Sequence, residues 1–118
     1  MKALTASNTL PGREQVLLPV DKLFDLPNRQ DEDYLKYLKT MFEELDNNPM
    51  RWPILVIKKE HYWNRLPWRG TDEQYGVVTG SNRFLYAVDR GYTHIESIIC
   101  TDRSDWFPLW ERTFRKTK

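Results

Sequence analysis

The chain has 118 residues, of which 40% are hydrophobic, 14% aromatic and 30% charged, so it fits one folded domain and not a disordered chain. A net charge of +1, from 18 basic and 17 acidic residues, excludes a protein that grips DNA with its whole surface. The apolar runs are too short for a membrane helix, and the N-terminus lacks the apolar region of a signal peptide. The chain has one cysteine, Cys100, which excludes an internal disulfide. We therefore expect a protein of the reducing cytoplasm with no membrane partner.

The first third of the chain predicts an arm, a strand and a helix. Residues 1–14 are polar and carry a Pro-Gly turn signal, which predicts an irregular arm before a domain of residues 15–118. Val16–Val20 predicts a short strand. Asp31 is the predicted N-cap of a helix to about Leu45, because apolar residues follow it at i, i+3/i+4 spacing.

The middle of the chain predicts two strands separated by a long loop. Pro53–Lys59 is a β-branched run that predicts a buried strand, and Tyr75–Thr79 predicts a second strand. The loop between them, residues 60–74, is rich in Trp, Arg, Pro and Gly.

The last third predicts a helix, a strand and a terminal helix. The helix that follows the strand Tyr75–Thr79 runs from about Arg83 to Arg90 and ends at Gly91, a good residue for a helix C-terminus. Thr93–Cys100 predicts a strand, and residues 105–115 predict the last helix. The inward face of the helix from Arg83 to Arg90 is expected to hold Phe84, Leu85, Ala87 and Val88. Together these elements predict an α/β (α+β) fold, with a small mixed sheet and flanking helices.

The strongest local signal for function is the turn between the strand Tyr75–Thr79 and the helix after it. Gly80 allows the backbone to approach a ligand closely, and Ser81 can cap the helix or donate to a phosphate oxygen. Arg83 can hold a phosphate bidentately, and the start of a helix attracts anions. The turn therefore indicates a phosphate site, and an ordinary capped helix with a surface arginine is the equally weighted alternative.

The order of these motifs resembles the N-terminal domain of the ParB family of plasmid and chromosome partition proteins, within the ParB/sulfiredoxin-like superfamily. The resemblance covers about residues 15–101, and no single motif carries it alone. The matching segments are Leu18-Pro19-Val20, Leu26-Pro27-Asn28-Arg29, Pro53-Ile54-Leu55-Val56, the turn Gly80-Ser81-Asn82-Arg83, Gly91 and Ile95.

This resemblance implies a nucleotide ligand, since the family's Gly-x-x-Arg turn holds CTP in partition proteins and ATP in sulfiredoxins. It implies a phosphate cradle of Gly80, Ser81, Asn82 and Arg83, faced by Arg29, with a nucleoside triphosphate and Mg²⁺ as the ligand. Ser81 stands where sulfiredoxins have their cysteine, so we do not expect reductase activity.

The chain lacks room for the helix-turn-helix and dimerisation domains of partition proteins. We therefore expect a stand-alone domain that binds a nucleotide or the phosphates of a nucleic acid, DNA included. The resemblance suggests that stand-alone domains of this type are typical of phages and mobile elements.

The loop over residues 60–74 is the main feature that the resemblance does not account for. It places Trp63 and Trp68 close to Arg65 and Arg69, a combination that suits a nucleic acid or a partner protein. The same rings can instead cover a small core.

Two other functions stay open beside nucleotide or nucleic-acid binding. A phosphotransferase or a nuclease would use the same cradle, although no paired carboxylates identify a catalytic residue, and we lean away from an enzyme. A protein-interaction module would act through the Trp/Arg loop. No metal site is predicted, because His61, His94 and Cys100 lack ligand spacing.

Overall fold

The computed structural model describes residues 2–24, 31–48, 50–61 and 74–111. Within these ranges the chain forms six strands and three α-helices, with short 3-10 helices at Val20–Lys22 and Lys59–His61. In chain order the elements are β1 (Ala3–Leu4), β2 (Val16–Pro19), β3 (Leu23–Phe24), α1 (Glu32–Asn47), β4 (Ile54–Lys58), β5 (Tyr75–Thr79), α2 (Ser81–Asp89), β6 (His94–Cys100) and α3 (Arg103–Trp110).

The six strands form one mixed sheet, which confirms the predicted α+β class. β4 lies between β6, to which it is parallel, and β5, to which it is antiparallel. β3 extends the sheet beside β5 in parallel, while β6 pairs with β1 in parallel and with β2 in antiparallel orientation. None of the helices in the described ranges is long and apolar enough to cross a membrane.

Strand β4 lies at the centre of the core, and alternate side chains enter opposite faces of the sheet. Ile54 and Val56 belong to a cluster on one face, and Leu55 and Ile57 belong to a cluster on the other. All four side chains are at most 1% exposed. Both faces of this strand are covered, which explains why the sequence reads as a continuous apolar run instead of an alternating one.

The N-terminal segment, which we predicted to be an irregular arm, instead contributes to the sheet. Ala3 and Leu4 pair with the first two residues of β6, and Leu10 is buried. The Arg13 guanidinium also holds the Asp105 carboxylate of α3, with Nη2 and Oδ2 3.0 Å apart. A two-residue strand is too short to show a periodic pattern, so only its pairing with β6 reveals it.

The termini of α1 and α2 follow the predicted capping chemistry. The Asp31 carboxylate accepts a hydrogen bond from the Tyr34 amide at 3.2 Å, which confirms Asp31 as the N-cap of α1. At the end of α2, Gly91 has a φ of +76°, and the Tyr92 amide donates to the Ala87 carbonyl. This is a Schellman ending, in which the glycine takes the left-handed conformation.

The predicted limits of α2 and α3 need correction. α2 begins at Ser81 instead of Arg83, and its inward face includes Tyr86, whereas Val88 is 53% exposed. Tyr86 is buried because its hydroxyl finds an acceptor on α1, which apolar patterning does not anticipate. α3 begins at Arg103, because the Asp102 carboxylate caps it, and residues 112–115 of the predicted helix lie outside the described residues.

An Asp46-centred network holds α1 against α2. The Asp46 carboxylate accepts from the Tyr86 hydroxyl at 2.7 Å and from Arg90 Nη2 at 2.8 Å. These two bonds, the arginine first, lower the pKa of Asp46 to about 2. Burial, and second to it the hydrogen bond to Asp46, raise the pKa of the Tyr86 hydroxyl to about 12. The network therefore depends on an ionised Asp46.

We expect Asp46→Asn to change the acid stability of the fold. A carboxylate whose pKa is lower in the folded state stabilises that state above its unfolded pKa, and this contribution is lost as pH falls from about 4 towards 2. In urea unfolding over this range, the wild-type free energy of unfolding should fall more steeply than that of Asp46→Asn. Glu43→Gln, an exposed carboxylate on the same helix, should follow the wild-type slope. Equal slopes for wild type and Asp46→Asn would contradict this role.

Candidate functional site

The turn between β5 and α2 is built around Gly80, which is the N-cap residue of α2. Gly80 has a φ of +106° and a ψ of 28°, a left-handed conformation that side chains rarely adopt. A Cβ atom there would lie 2.5 Å from Ile54 Cγ2 and 2.6 Å from Arg83 Nη2. Only glycine fits this position, because both the backbone angle and the available space exclude a side chain.

Placing Gly80 at the N-cap changes the role that we expected for Ser81. Ser81 is the first residue of α2, and not its cap. Because glycine has no side chain, no side-chain cap closes this helix start, and the Phe84 amide makes the first intrahelical bond to the Gly80 carbonyl at 2.9 Å. The first amides of a helix lack intrahelical acceptors and carry the positive end of its dipole. This turn therefore presents a positive, hydrogen-bond-donating surface.

Arg83 forms part of the wall behind this turn. Its side chain is only 9% exposed, and the guanidinium donates to the carbonyl of Trp52, just before β4. Burial lowers the pKa of Arg83 to about 9, so the side chain keeps its charge at neutral pH. A buried cation therefore lies directly beside the start of α2.

Asn82 links the turn to α1. Its side-chain oxygen accepts from the Tyr34 hydroxyl at 3.2 Å, and its amide nitrogen lies 3.9 Å from the Met41 sulfur. Together with the Asp46 network, this contact holds α1 beside the turn, where the helix forms one wall of the cleft.

The four residues of the turn open on one cavity of about 400 Å³ between α1, α2 and the start of β4. None of the described residues that line it is acidic, and Arg51 and Arg83 are its cations. The lining residues are Tyr37, Met41, Leu45, Arg51, Trp52, Thr79, Gly80, Ser81, Asn82, Arg83 and Trp110.

Two of these lining residues have unused hydrogen-bond donors. The exposed Arg51 side chain makes no hydrogen bond or ion pair to another described residue. The indole nitrogen of Trp52 is buried and has no acceptor within the described part of the chain. Buried donors are nearly always satisfied in folded proteins, so a donor left over beside a cavity indicates a bound solvent molecule or ligand.

A second cavity, of about 530 Å³, adjoins the first. The two share Met41, Leu45, Arg51 and Arg83 as lining residues. The second cavity has a different character, because Glu44 of α1 and Asn48, the residue that follows α1, line it together with Ser7 and the buried Met50.

The sequence predicted the turn but did not place Arg51 and Trp52 beside it. Antiparallel pairing of β4 and β5, with Leu55 opposite Thr79, places the start of β4 beside the end of β5. The Arg-Trp pair that precedes β4 is therefore brought to the Gly80 turn, a consequence of strand pairing that the local sequence does not show. The other predicted contact residues lie outside the described residues: Arg29, Trp63, Arg65, Trp68 and Arg69.

Cys100, the lone cysteine, is 1% exposed and belongs to the core on one face of the sheet. Burial raises the pKa of its thiol to about 11, so the thiolate is scarce at neutral pH. Cys100 is therefore a buried residue of the core.

Similarity to known proteins was found by comparing structures and not by comparing sequences. No protein-family model matches this sequence, and no curated protein is significantly similar to it. A conserved hypothetical protein from Pyrococcus furiosus matches 75% of this chain with a TM-score of 0.54 and 22% sequence identity. A C-terminally truncated chromosome-partitioning protein ParB from Caulobacter crescentus, complexed with CTP-γ-S, matches 75% with a TM-score of 0.52 and 19% identity.

The mixed sheet, the flanking helices and the glycine turn define a small α+β domain. More particularly, the chain has a ParB-like fold, which confirms the fold that the sequence motifs imply. The match covers 32% of the Pyrococcus chain and 44% of the Caulobacter chain, so this protein corresponds to less than half of either.

We expect Gly80→Ala to destabilise the fold more than Gly91→Ala. Both glycines have positive φ, which costs an alanine about 1–2 kcal/mol, but only at Gly80 does the new Cβ meet other atoms. Overpacking against Ile54 raises the expected loss at Gly80 to on the order of 3 kcal/mol or more. Thermal and urea unfolding of the two variants measure the difference, and equal losses would show that Gly80 does not pack closely on β4.

Proposed function

We propose that the cleft at Gly80, Ser81, Asn82 and Arg83 binds the phosphate groups of a nucleotide. The observation that carries this proposal is that the start of α2, which has no side-chain cap, lines the same cavity as Arg51, whose side chain has no hydrogen-bond or ion-pair partner among the described residues. Either feature alone is common on protein surfaces. Their convergence on one concave site, with no acidic residue among its described lining, makes the site selective for an anion.

Arg83 supports the same proposal through its burial. Desolvation disfavours the charged guanidinium, and this is the first cause of its lowered pKa. An anion in the cleft would offset that desolvation, and it would raise the pKa of Arg83 towards its ordinary value.

The size and lining of the cleft favour a nucleotide over a simple anion. A volume of about 400 Å³ lies within the range of small-molecule sites, which are mostly apolar with a few convergent polar groups. Tyr37, Trp52 and Trp110 supply aromatic rings on which a base can stack. The ParB structure that shares this fold was solved with CTP-γ-S, which makes CTP the first nucleotide to test.

Mg²⁺ enters this proposal as a companion of the phosphates. The described lining of the first cavity offers no carboxylate to hold the ion, and Mg²⁺ is commonly bound through substrate phosphates and water. The cytoplasmic location, the phage or mobile-element origin and a contact with nucleic acid through the Trp/Arg loop stay predictions from the sequence.

We expect Arg51→Ala to weaken nucleotide binding without harming the fold. Arg51 is exposed and its side chain makes no hydrogen bond or ion pair with the described residues, so its removal should leave the melting temperature nearly unchanged. Loss of one charge-assisted contact costs about 1.5–3 kcal/mol, which raises Kd on the order of tenfold or more. Calorimetric titration with CTP, ATP, GTP and ADP, with and without Mg²⁺, measures this effect.

Arg103→Ala is the matched control, because it removes the same charge from an exposed position outside the cavity lining. It should bind nucleotide as the wild type does. If no nucleotide binds, or if Arg51→Ala binds as tightly as Arg103→Ala, the cleft is not a phosphate site.

A further inference from the structure

The two adjoining cavities share two arginines, and the other side chains that line them differ in chemical character. Arg51 and Arg83 are two of the four residues that line both cavities, together with Met41 and Leu45. The first cavity adds aromatic rings, and the second adds the oxygen-bearing side chains of Ser7, Glu44 and Asn48. Positive charge therefore lies between an aromatic lobe and a polar, partly acidic lobe.

Glu44 determines what the second lobe accepts. Its carboxylate has no hydrogen-bond or ion-pair partner within the described residues, whereas its backbone carbonyl accepts from the Asn48 amide at 2.9 Å. A carboxylate in this position repels a phosphate chain that would extend into the second lobe. It instead favours a neutral group with hydroxyl or amino donors, such as the sugar and base of a nucleoside.

Helix α1 forms a continuous wall along both lobes. Tyr37 and Met41 face the first lobe, Met41 and Leu45 are shared, and Asn48 faces the second. From Tyr37 to Asn47 the helix rises about 15 Å, at 1.5 Å per residue, and Asn48 follows it as the C-cap. The cleft is therefore elongated, with its two arginines at an intermediate point instead of at one end.

We infer that the cleft binds a dinucleotide, that is, two nucleosides joined through phosphate. The phosphate lies at the boundary formed by Arg51, Arg83 and the start of α2. One base stacks in the aromatic lobe, and the second nucleoside enters the lobe lined by Glu44 and Asn48. This inference rests on the proposed phosphate site and names the class of ligand that the site takes.

Two nucleosides joined through phosphate occur both as a step of a single-stranded nucleic acid and as a free dinucleotide, and separate probes distinguish the two. The linear 3′–5′ dinucleotide pApA represents a step of single-stranded nucleic acid, and P1,P2-di(adenosine-5′) pyrophosphate represents a free dinucleotide. ADP is the mononucleotide reference, and inorganic pyrophosphate tests the phosphate site alone. We expect one of the two dinucleotides to bind on the order of tenfold more tightly than ADP, because only a dinucleotide fills both lobes.

Glu44→Gln tests the second lobe, and Glu43→Gln is its matched control on the same helix, outside both cavity linings. Glu44→Gln should lose on the order of tenfold in affinity for the preferred dinucleotide, while its affinity for ADP and pyrophosphate is unchanged or slightly higher. Glu43→Gln should bind all four probes as the wild type does.

The outcomes separate this inference from the function on which it rests. If ADP binds in an Arg51-dependent manner but neither dinucleotide binds more tightly, the dinucleotide assignment is wrong and the phosphate site stands. The same holds if Glu44→Gln and Glu43→Gln behave alike. If none of the four probes binds while CTP does, the dinucleotide assignment is wrong and the phosphate site stands. If CTP also fails to bind, the phosphate site itself is wrong, and the dinucleotide assignment falls with it.

Discussion

The close packing of Gly80 on Ile54 is the contact on which the rest of the cleft depends. Ile54 is fully buried at the start of β4, so the turn that leaves β5 can approach it only without a side chain. This approach starts α2 directly above the central strands and places its positive end beside Arg51 and Trp52. A bulkier residue at position 80 would displace the start of α2 and separate the groups that we assign to one ligand.

Charge is distributed along the cleft in a way that follows from these backbone positions. The start of α2, Arg83 and Arg51 make one part positive, and Glu44 adds a negative charge to the adjoining part. The second contact between α1 and α2, through Asp46, Tyr86 and Arg90, keeps the two helices at a fixed separation. The fold therefore holds both walls of the cleft before any ligand arrives, which lowers the ordering cost of binding.

The sequence predicted features that have a local cause, and it did not predict features that depend on strand pairing or on contacts between distant elements. Gly80 and Asp31 were identified from the sequence, because a glycine after a strand and an aspartate before an amphipathic run each have a local cause. β1 was missed, because two residues acquire strand structure only beside β6. Arg51 was not assigned to the site, because it reaches the turn through the pairing of β4 with β5, distant in sequence. Tyr86 was missed as a core residue, because its burial needs the Asp46 carboxylate.

The most direct test of the central claim is an amide NMR titration of the full chain with CTP, repeated with pApA. If the cleft binds phosphate at the start of α2, the largest shift changes will fall on the amides of Ser81, Asn82 and Arg83, with the Trp52 indole N–H among the perturbed signals. Saturable changes confined to other parts of the chain, with these four signals unmoved, would contradict the account.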